Sequence, residues 1–514
     1  MSSSRREEAR TDETTLSEGL ERNLKLEGIV KFANDTGLEV DQLVLQAREK
    51  RAANDVGKFS KNLLEDATTP LEILKRTLSV RSVLSTHSSF AERMEALRNV
   101  ETKTLKLAEI GRGSFGTVYE IPGTEWCLKK TLTSPQTMWL EFLRGQSTSF
   151  AVNTTARNAI LSSEEFGNAL MPRVPDYLCS YGTKDDESTK GWFKRNGYMF
   201  PEENGGTIPG PVICLERIMP LPKVIRESLI RHYFPTEKQE EALSDPRNKA
   251  CLCRPYLGYT SRDAKEANPA KWEREGETLQ NFPLYLDILE ELEMDPFTIA
   301  RDMALGVAAG HWSACIDMLD VEFVIGSRPH MRGIELKTIS RKDAQALRTK
   351  NTVRAREMNA TSEPPSSQAH ASFRNRAIQL WMIDFNKVNE FDTSVADVKL
   401  YKQNIEQLVM NTRATDGDYY PRVLAKNRKQ WDLWCAFATT YIDASREIAS
   451  QDIEWSRKKG FQCSKKEEEL RMKRPAHVIN KWMEVEATEC GVSADEFKKK
   501  LKQEGWPLPG IGRS

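Results

Sequence analysis

From Leu105 onward the chain alternates apolar and polar residues with period two. LKLAEIG, TVYEI and WCLKK read as three strands, with Pro122 and Gly123 turning the second into the third. Another strand, PVICLERI (211–218), follows a polar stretch that holds Gly205, Gly206 and Pro209. Beyond it the period lengthens to that of a helix. TIARDMALGVAAGHW sets Ile299, Met303, Val307 and Gly310 on one face, which suits a buried helix. DVEFVIG and LWMIDF are short apolar strands. The polar, basic segment between them, 327–376, includes TSEPPSSQAH and predicts a long flexible insertion. After 390 the pattern is mostly helical.

The two ends read differently. Residues 1–60 carry only a weak helical pattern through Leu20, Leu24, Ile29 and Val30, and predict a mobile extension. Residues 61–100 hold two amphipathic stretches, around Leu71, Leu74 and Leu78 and around Met94 and Leu97, that could dock on the next domain. In 451–514, Lys458–Lys459, Lys465–Lys466 and Lys498–Lys500 interleave with Glu467–Glu469. This predicts a solvated, charged helical tail rather than a nucleic-acid surface, with GWPLPGIGRS extended at its end. The predicted organisation is therefore an extension (1–60), a docking segment (61–100), a β-rich unit (101–218), a helical unit (219–450) with the insertion 327–376, and the tail (451–514).

Composition narrows the function classes. Lys plus Arg and Asp plus Glu are both 75, so there is no basic excess of the kind that a phosphate-tracking nucleic-acid binder shows. The same balance gives no reason to expect an anionic membrane as partner. No window approaches a membrane-spanning run, and the start, MSSSRREEARTDETTL, has no apolar h-region, so an intracellular protein, cytoplasmic or nuclear, is expected. Nine cysteines, widely spaced, fit free thiols in a reducing compartment. Cys251 and Cys253 are the closest pair and have no second pair or histidine nearby, so no structural zinc is expected.

The segment Gly111-Arg112-Gly113-Ser114-Phe115-Gly116-Thr117-Val118 carries the chemistry. A dinucleotide fold needs a helix directly after such glycines, whereas β-branched and aromatic residues follow here. A Walker loop needs Gly-Lys-Ser/Thr, which is absent. Strand, glycine loop, strand, turn and strand is the arrangement of a hairpin that covers ATP phosphates, with Gly111, Gly113, Gly116 and Val118 as its contacts. An ordinary glycine-rich hairpin is the bland alternative. The phosphate lysine is then Lys129, with Lys130 on the opposite face of the strand. Glu141 is its expected partner, with Glu164 or Glu165 as fallback.

Further along, Asp384-Phe385-Asn386 follows an apolar strand as a metal-binding D-F-G would, with Asn in the glycine place as a residue that tolerates positive φ. Asp317 and Glu322 have the spacing of a kinase catalytic Asp and its metal-binding Asn. No His-Arg precedes Asp317, and Leu319 stands where a lysine would neutralise the γ-phosphate. Helix-end and turn chemistry is the bland reading of Asp317 and Asp320.

Several longer stretches join these residues: WLEFL around Glu141, ICLERIMPLPKVIRESLIRHYFP (213–235), CLCRPYLG (251–258), LQNFPLYLDILEELEMD (279–295), GHWSACIDMLDVEFVIG (310–326), LWMIDFN (380–386) and YYPRV (419–423). Together they resemble a fungal family of kinase-like proteins of undefined function whose members often carry a zinc-finger label. The resemblance covers roughly 105–450. It implies an α+β, two-lobed protein-kinase-like fold, with a small β-rich N-lobe (101–218) and a larger helical C-lobe (219–450). By analogy, the backbone at Glu216 and Ile218 would meet the adenine.

Three functions follow as expectations. The first is an ATP-dependent phosphotransferase in which Lys129 holds phosphates, Asp384 and Glu322 hold Mg²⁺, and Asp317 orients a hydroxyl of a protein or small-molecule acceptor. The second is a pseudokinase that binds nucleotide without transfer. The third is an interaction protein in which the glycines only build a hairpin.

Overall fold

Among the described residues the strands fall into two five-stranded sheets, and the larger hydrophobic core joins the second sheet to most of the described helices. The computed structural model describes residues 69–78, 83–85, 106–113, 115–121, 124–163, 166, 169–202, 208–270, 272, 278–329, 375–391, 398–414, 419–461, 464–506 and 509. The extension 1–60, the stretch around Met94 and Leu97, the Pro122–Gly123 turn, Glu164, Glu165 and most of 327–376 lie outside these residues.

The first sheet takes the expected strands. They are β2 (Ala108–Gly113), β3 (Gly116–Glu120), β4 (Trp126–Lys130) and β6 (Val212–Glu216), with β5 (Tyr177–Tyr181) at the edge, in the antiparallel order β2-β3-β4-β6-β5. The period of two puts Lys129 and Lys130 on opposite faces. Lys130 is buried under the rings of Tyr119, Phe193 and Phe200, with Nζ 5.5–6.0 Å from their centroids. On the Lys129 face lies helix α2 (Pro135–Phe150), started by Ser134, whose side chain accepts from the Thr137 N–H. A Cβ at Gly145 would lie 2.2 Å from the Tyr177 ring, so glycine lets α2 settle on β5.

The second sheet has the order β1-β10-β9-β7-β8 and brings together β1 (Val83–Ser85), β7 (Cys253–Tyr256), β8 (Phe282–Tyr285), β9 (Glu322–Pro329) and β10 (Asn375–Ile383). Only the β9–β10 hairpin was legible as strands. β7 and β8 are too short for a period to emerge, and β1 gains its partners only by pairing with β10, 290 or more residues away. The hairpin also runs further than expected: β9 continues to Pro329 and β10 starts at Asn375, so both ends of the supposed insertion belong to the sheet. Before β1, helix α1 (Pro70–Thr77) buries Leu74 and Leu78 in the main core.

Two backbone contacts tie the sheets together. Met219 and Ser327 exchange hydrogen bonds of 2.9 and 2.8 Å just beyond β6, and Arg173 pairs with Leu380 and Met382 of β10 at 3.1 and 2.7 Å. Behind them, after α3 (Asp186–Asn196) and α4 (Lys223–Tyr233), helix α5 (Pro296–Trp312) is buried on nearly all sides, as its composition predicts. Its small residues admit neighbours: Gly306 faces Met382, and Gly310 faces Met318.

The C-terminal region corrects the sequence reading. Helices α6 (Val398–Arg413) and most of α7 (Arg428–Lys458) belong to the expected helical unit, while α8 (Lys465–Glu489) and α9 (Ala494–Gln503), in the expected solvated tail 451–514, each bury an apolar side. α8 buries Val478, Ile479, Trp482 and Met483 along one stripe, and the Trp482 ring lies 5.2–5.7 Å from Tyr420, Trp434 and Phe437. Each such apolar side chain contributes about 1.5–3 kcal/mol on burial. The lysines and glutamates that dominate the composition occupy the outer face and conceal this stripe. Trp506 also stacks on Trp431 at 5.9 Å, beside the buried Phe497 and Leu501 of α9. None of the described helices is long and apolar enough to cross a membrane.

Candidate functional site

The antiparallel register lines up Gly111, Val118, Lys129 and Ile213 as one cross-strand row on the α2 face of the first sheet. Three residues singled out in the sequence therefore share a surface. The β2–β3 hairpin turns between Gly113 and Gly116, its last pair. At Gly116 a Cβ would meet the Lys130 carbonyl oxygen at 2.4 Å, so glycine is required by the close approach of β4. At Gly113 a Cβ would meet nothing within 4 Å, which leaves that side of the hairpin open.

Lys129 does not extend freely from this row. Its Nζ donates to Glu141 Oε1 of α2 at 2.6 Å and lies 3.7 Å from Asp384 Oδ1, with only 15% of the side chain exposed. Burial pulls its pKa down, but the carboxylates of Glu141 and Asp384 outweigh burial and hold it above its ordinary value. Burial first, and then the same two carboxylates, push the nearby Tyr177 phenol well above its usual range. Sequence elements more than 250 residues apart are thus joined in one ammonium–dicarboxylate group.

Asp384 sits where β10 ends, at φ +67°. The sequence argument gave the left-handed residue as Asn386. Among the described residues the positive φ falls on Asp384 instead, a residue type that also tolerates it. The Asn386 amide has a different distinction. Its Nδ2 and Oδ1 are both buried with no hydrogen-bond partner among the described residues. An unsatisfied buried amide costs about 1–3 kcal/mol. It therefore marks a place where a further polar group would be stabilising.

The Asp317 loop is built in the opposite way. Asp317 is 3% exposed, and each of its carboxylate oxygens receives two hydrogen bonds. Oδ1 accepts from the Leu319 and Asn389 N–H groups at 3.2 and 2.9 Å, and Oδ2 from the Asn389 and Asn411 side-chain amides at 3.1 and 2.7 Å. A carboxylate has about four acceptor sites, so this one is saturated. These bonds brace three left-handed residues, Cys315, Met318 and Asp320, with φ of +55°, +56° and +61°. Behind the loop His311 is fully buried, hydrogen-bonded to the Tyr441 hydroxyl at 2.8 Å and the Thr412 hydroxyl at 2.9 Å. Burial lowers its pKa to about 3.

Glu322, expected as a metal ligand, starts β9 and forms a 2.6 Å ion pair with Arg254 of β7, its side chain 9% exposed. Asp320 accepts from Lys387 Nζ at 2.6 Å. At the expected adenine edge, the Glu216 N–H donates to the Asp176 carbonyl and the Arg217 N–H to the Glu125 carbonyl, both at 2.7 Å. Glu216 is therefore held within the sheet, while the Ile218 side chain packs against Gly326. Among the described residues no three His, Cys, Asp or Glu side chains gather as a metal site.

Arg254, Lys387, Asn389 and Asn411 were not singled out in the sequence. Arg254 could have been, as a lone cation in the apolar run CLCRPYLG, and Lys387 stands directly after Asp384-Phe385-Asn386. Asn389 and Asn411 carry no local signal, because they reach Asp317 from 72 and 94 residues away.

A family model described as DUF3669, zinc finger protein, matches residues 380–452. That stretch holds the end of β10, the Asp384–Lys387 turn, α6 and most of α7, with Cys435 as its single cysteine and no histidine. It has no ligand set for zinc. No curated protein and no solved structure matches the chain.

Proposed function

We propose that this chain is a kinase-like protein that binds Mg·ATP beneath its glycine hairpin and acts through that bound state, as a pseudokinase, rather than by phosphoryl transfer. The small antiparallel sheet with α2 would form one lobe, and the second sheet with the remaining helices the other. The observation that carries the binding half is the contact of Lys129 with Glu141 and Asp384, at 2.6 and 3.7 Å, under the row that includes Gly111 and Val118.

The residues fit the ligand. The open side of Gly113 leaves room for phosphates, and Lys129 is held in place before any ligand arrives. A hard divalent cation that keeps water and phosphate oxygens needs one or two carboxylates, and Asp384, 30% exposed, is available. The orphaned Asn386 amide adds a neutral oxygen donor in the same turn. When bound, Mg²⁺ would supply the positive charge that lets the Asp384 carboxylate and the anionic phosphate oxygens lie close together.

The non-catalytic half rests on Asp317 and Glu322. An acceptor hydroxyl would need a free Asp317 oxygen, but both are occupied by amide donors. A second metal would need Glu322, which is neutralised by Arg254.

Calorimetry and thermal unfolding with Mg·ATP test this reading. Metal-dependent stabilisation is expected, about 2.7 kcal/mol at a ligand concentration 100 times Kd, and it should be lost in Lys129→Met. No binding at millimolar nucleotide would leave the interaction-protein reading. ATP turnover that disappears in Asp317→Asn would restore the phosphotransferase.

A further inference from the structure

The cleft has a second lysine that its sequence motifs do not provide. Lys387 lies in the turn that begins at Asp384, and its Nζ is 2.6 Å from Asp320 Oδ2 and 5.1 Å from the centroid of the Phe115 ring. Phe115 is the tip of the glycine hairpin, between Gly113 and Gly116, and its carbonyl accepts from the Thr131 hydroxyl. The Lys387 ammonium therefore stands between the hairpin tip and the Asp317–Glu322 loop, where Leu319 offers no cation.

We propose that Lys387 is the terminal-phosphate contact of the site and gives it preference for a nucleoside triphosphate over a diphosphate. This assignment rests on the nucleotide-binding reading. The two lysines divide the work by their surroundings. Lys129 is 15% exposed and bound by carboxylates from α2 and the β10 turn, so it is fixed in place for the inner phosphates. Lys387 keeps 42% of its side chain exposed, so its end of the 2.6 Å ion pair is open to water, whereas the Asp320 side chain keeps only 13%. A terminal phosphate under the hairpin tip takes the ammonium over from Asp320, and the long flexible stem of lysine permits that movement. A diphosphate ends short of this position and leaves the Lys387–Asp320 pair intact.

The test is calorimetric titration of the full chain with Mg·ATP and, separately, Mg·ADP, on wild type, Lys387→Met, Lys387→Arg and Lys129→Met. Lys387→Met should weaken ATP about tenfold or more, which is about 1.4 kcal/mol, and leave ADP within about twofold. Lys387→Arg should recover most of the ATP affinity, and Lys129→Met should weaken both nucleotides. Equal loss of ATP and ADP in Lys387→Met, or no loss of either, overturns the assignment while nucleotide binding by wild type stands. Wild type that binds neither nucleotide overturns both this assignment and the reading beneath it. Lys387 keeps 42% of its side chain exposed, and Lys387→Arg keeps the charge facing Asp320, so the unfolding midpoint of that variant should match wild type. If the Met variant misfolds, the ATP-to-ADP ratio of Lys387→Arg decides, because retained discrimination is required of it.

Discussion

The group around Lys129 and the Asp317 loop use the same residue types for opposite ends. At Lys129 one ammonium faces two carboxylates, one of them partly exposed, and the neighbouring Asn386 amide has no partner among the described residues. At Asp317 every carboxylate lone pair is taken, and the carboxylate five residues on is buried against an arginine. Both regions contain left-handed residues, so backbone strain does not separate them. What separates them is hydrogen-bond satisfaction. A group that keeps unmet capacity can take a ligand, whereas a saturated one holds a loop in shape.

The largest expected effect would break this contrast at its most buried pair. Arg254→Ala leaves Glu322 buried without its cation and should destabilise the fold by about 3–5 kcal/mol in urea unfolding. The double change Arg254→Met with Glu322→Leu should recover most of that loss and leave Mg·ATP affinity unchanged. If nucleotide binding falls with the double change, Glu322 belongs to the binding side and the contrast fails.

A smaller effect is expected at Asp317. Asp317→Asn turns an acceptor of N–H groups into a partial donor facing them, and should cost about 1–3 kcal/mol of stability. If the proposed site binds nucleotide, affinity should stay within about twofold, since both Asp317 oxygens are already taken by amide donors. Equal stability of variant and wild type would mean that the four donors do not hold this loop.

The smallest effect, per unit of the variable, is the pH dependence set by His311. Its folded pKa of about 3 lies below the ordinary value of 6.5, so the unfolded chain binds the proton first as pH falls. Its contribution to stability is intact above pH 6.5 and is lost progressively between 6.5 and 3, by about 1.4 kcal/mol per pH unit at most. Comparing unfolding free energy against pH for wild type and His311→Gln isolates this slope from that of the carboxylates. Parallel curves would show that His311 charges without unfolding the loop it supports.

Much of the first sheet was legible because β2, β3 and β4 are consecutive hairpin strands with alternating residue types, although their burial does not alternate strictly. Lys129 and its partner Glu141 followed from the same local logic, since they lie 12 residues apart. The β9–β10 pair was legible as two apolar runs, but not its extent, because Arg328 and Arg376 read as insertion. The docking of α8 was missed for a compositional reason: charge on the outer face of a helix outweighs a buried stripe in any linear count.

By itself the sequence determined which residues could do chemistry: glycines that let strands approach, a strand lysine, and acids placed after apolar runs. These are properties of local backbone and side-chain type, and they persist wherever the chain goes. Only the tertiary structure decided which of those acids remained available. Asn389, Asn411 and Arg254 reach Asp317 and Glu322 across tens of residues, and no local pattern encodes where a distant donor will arrive. The availability of a carboxylate depends on the donors that fold around it, and those are settled only when the two sheets close.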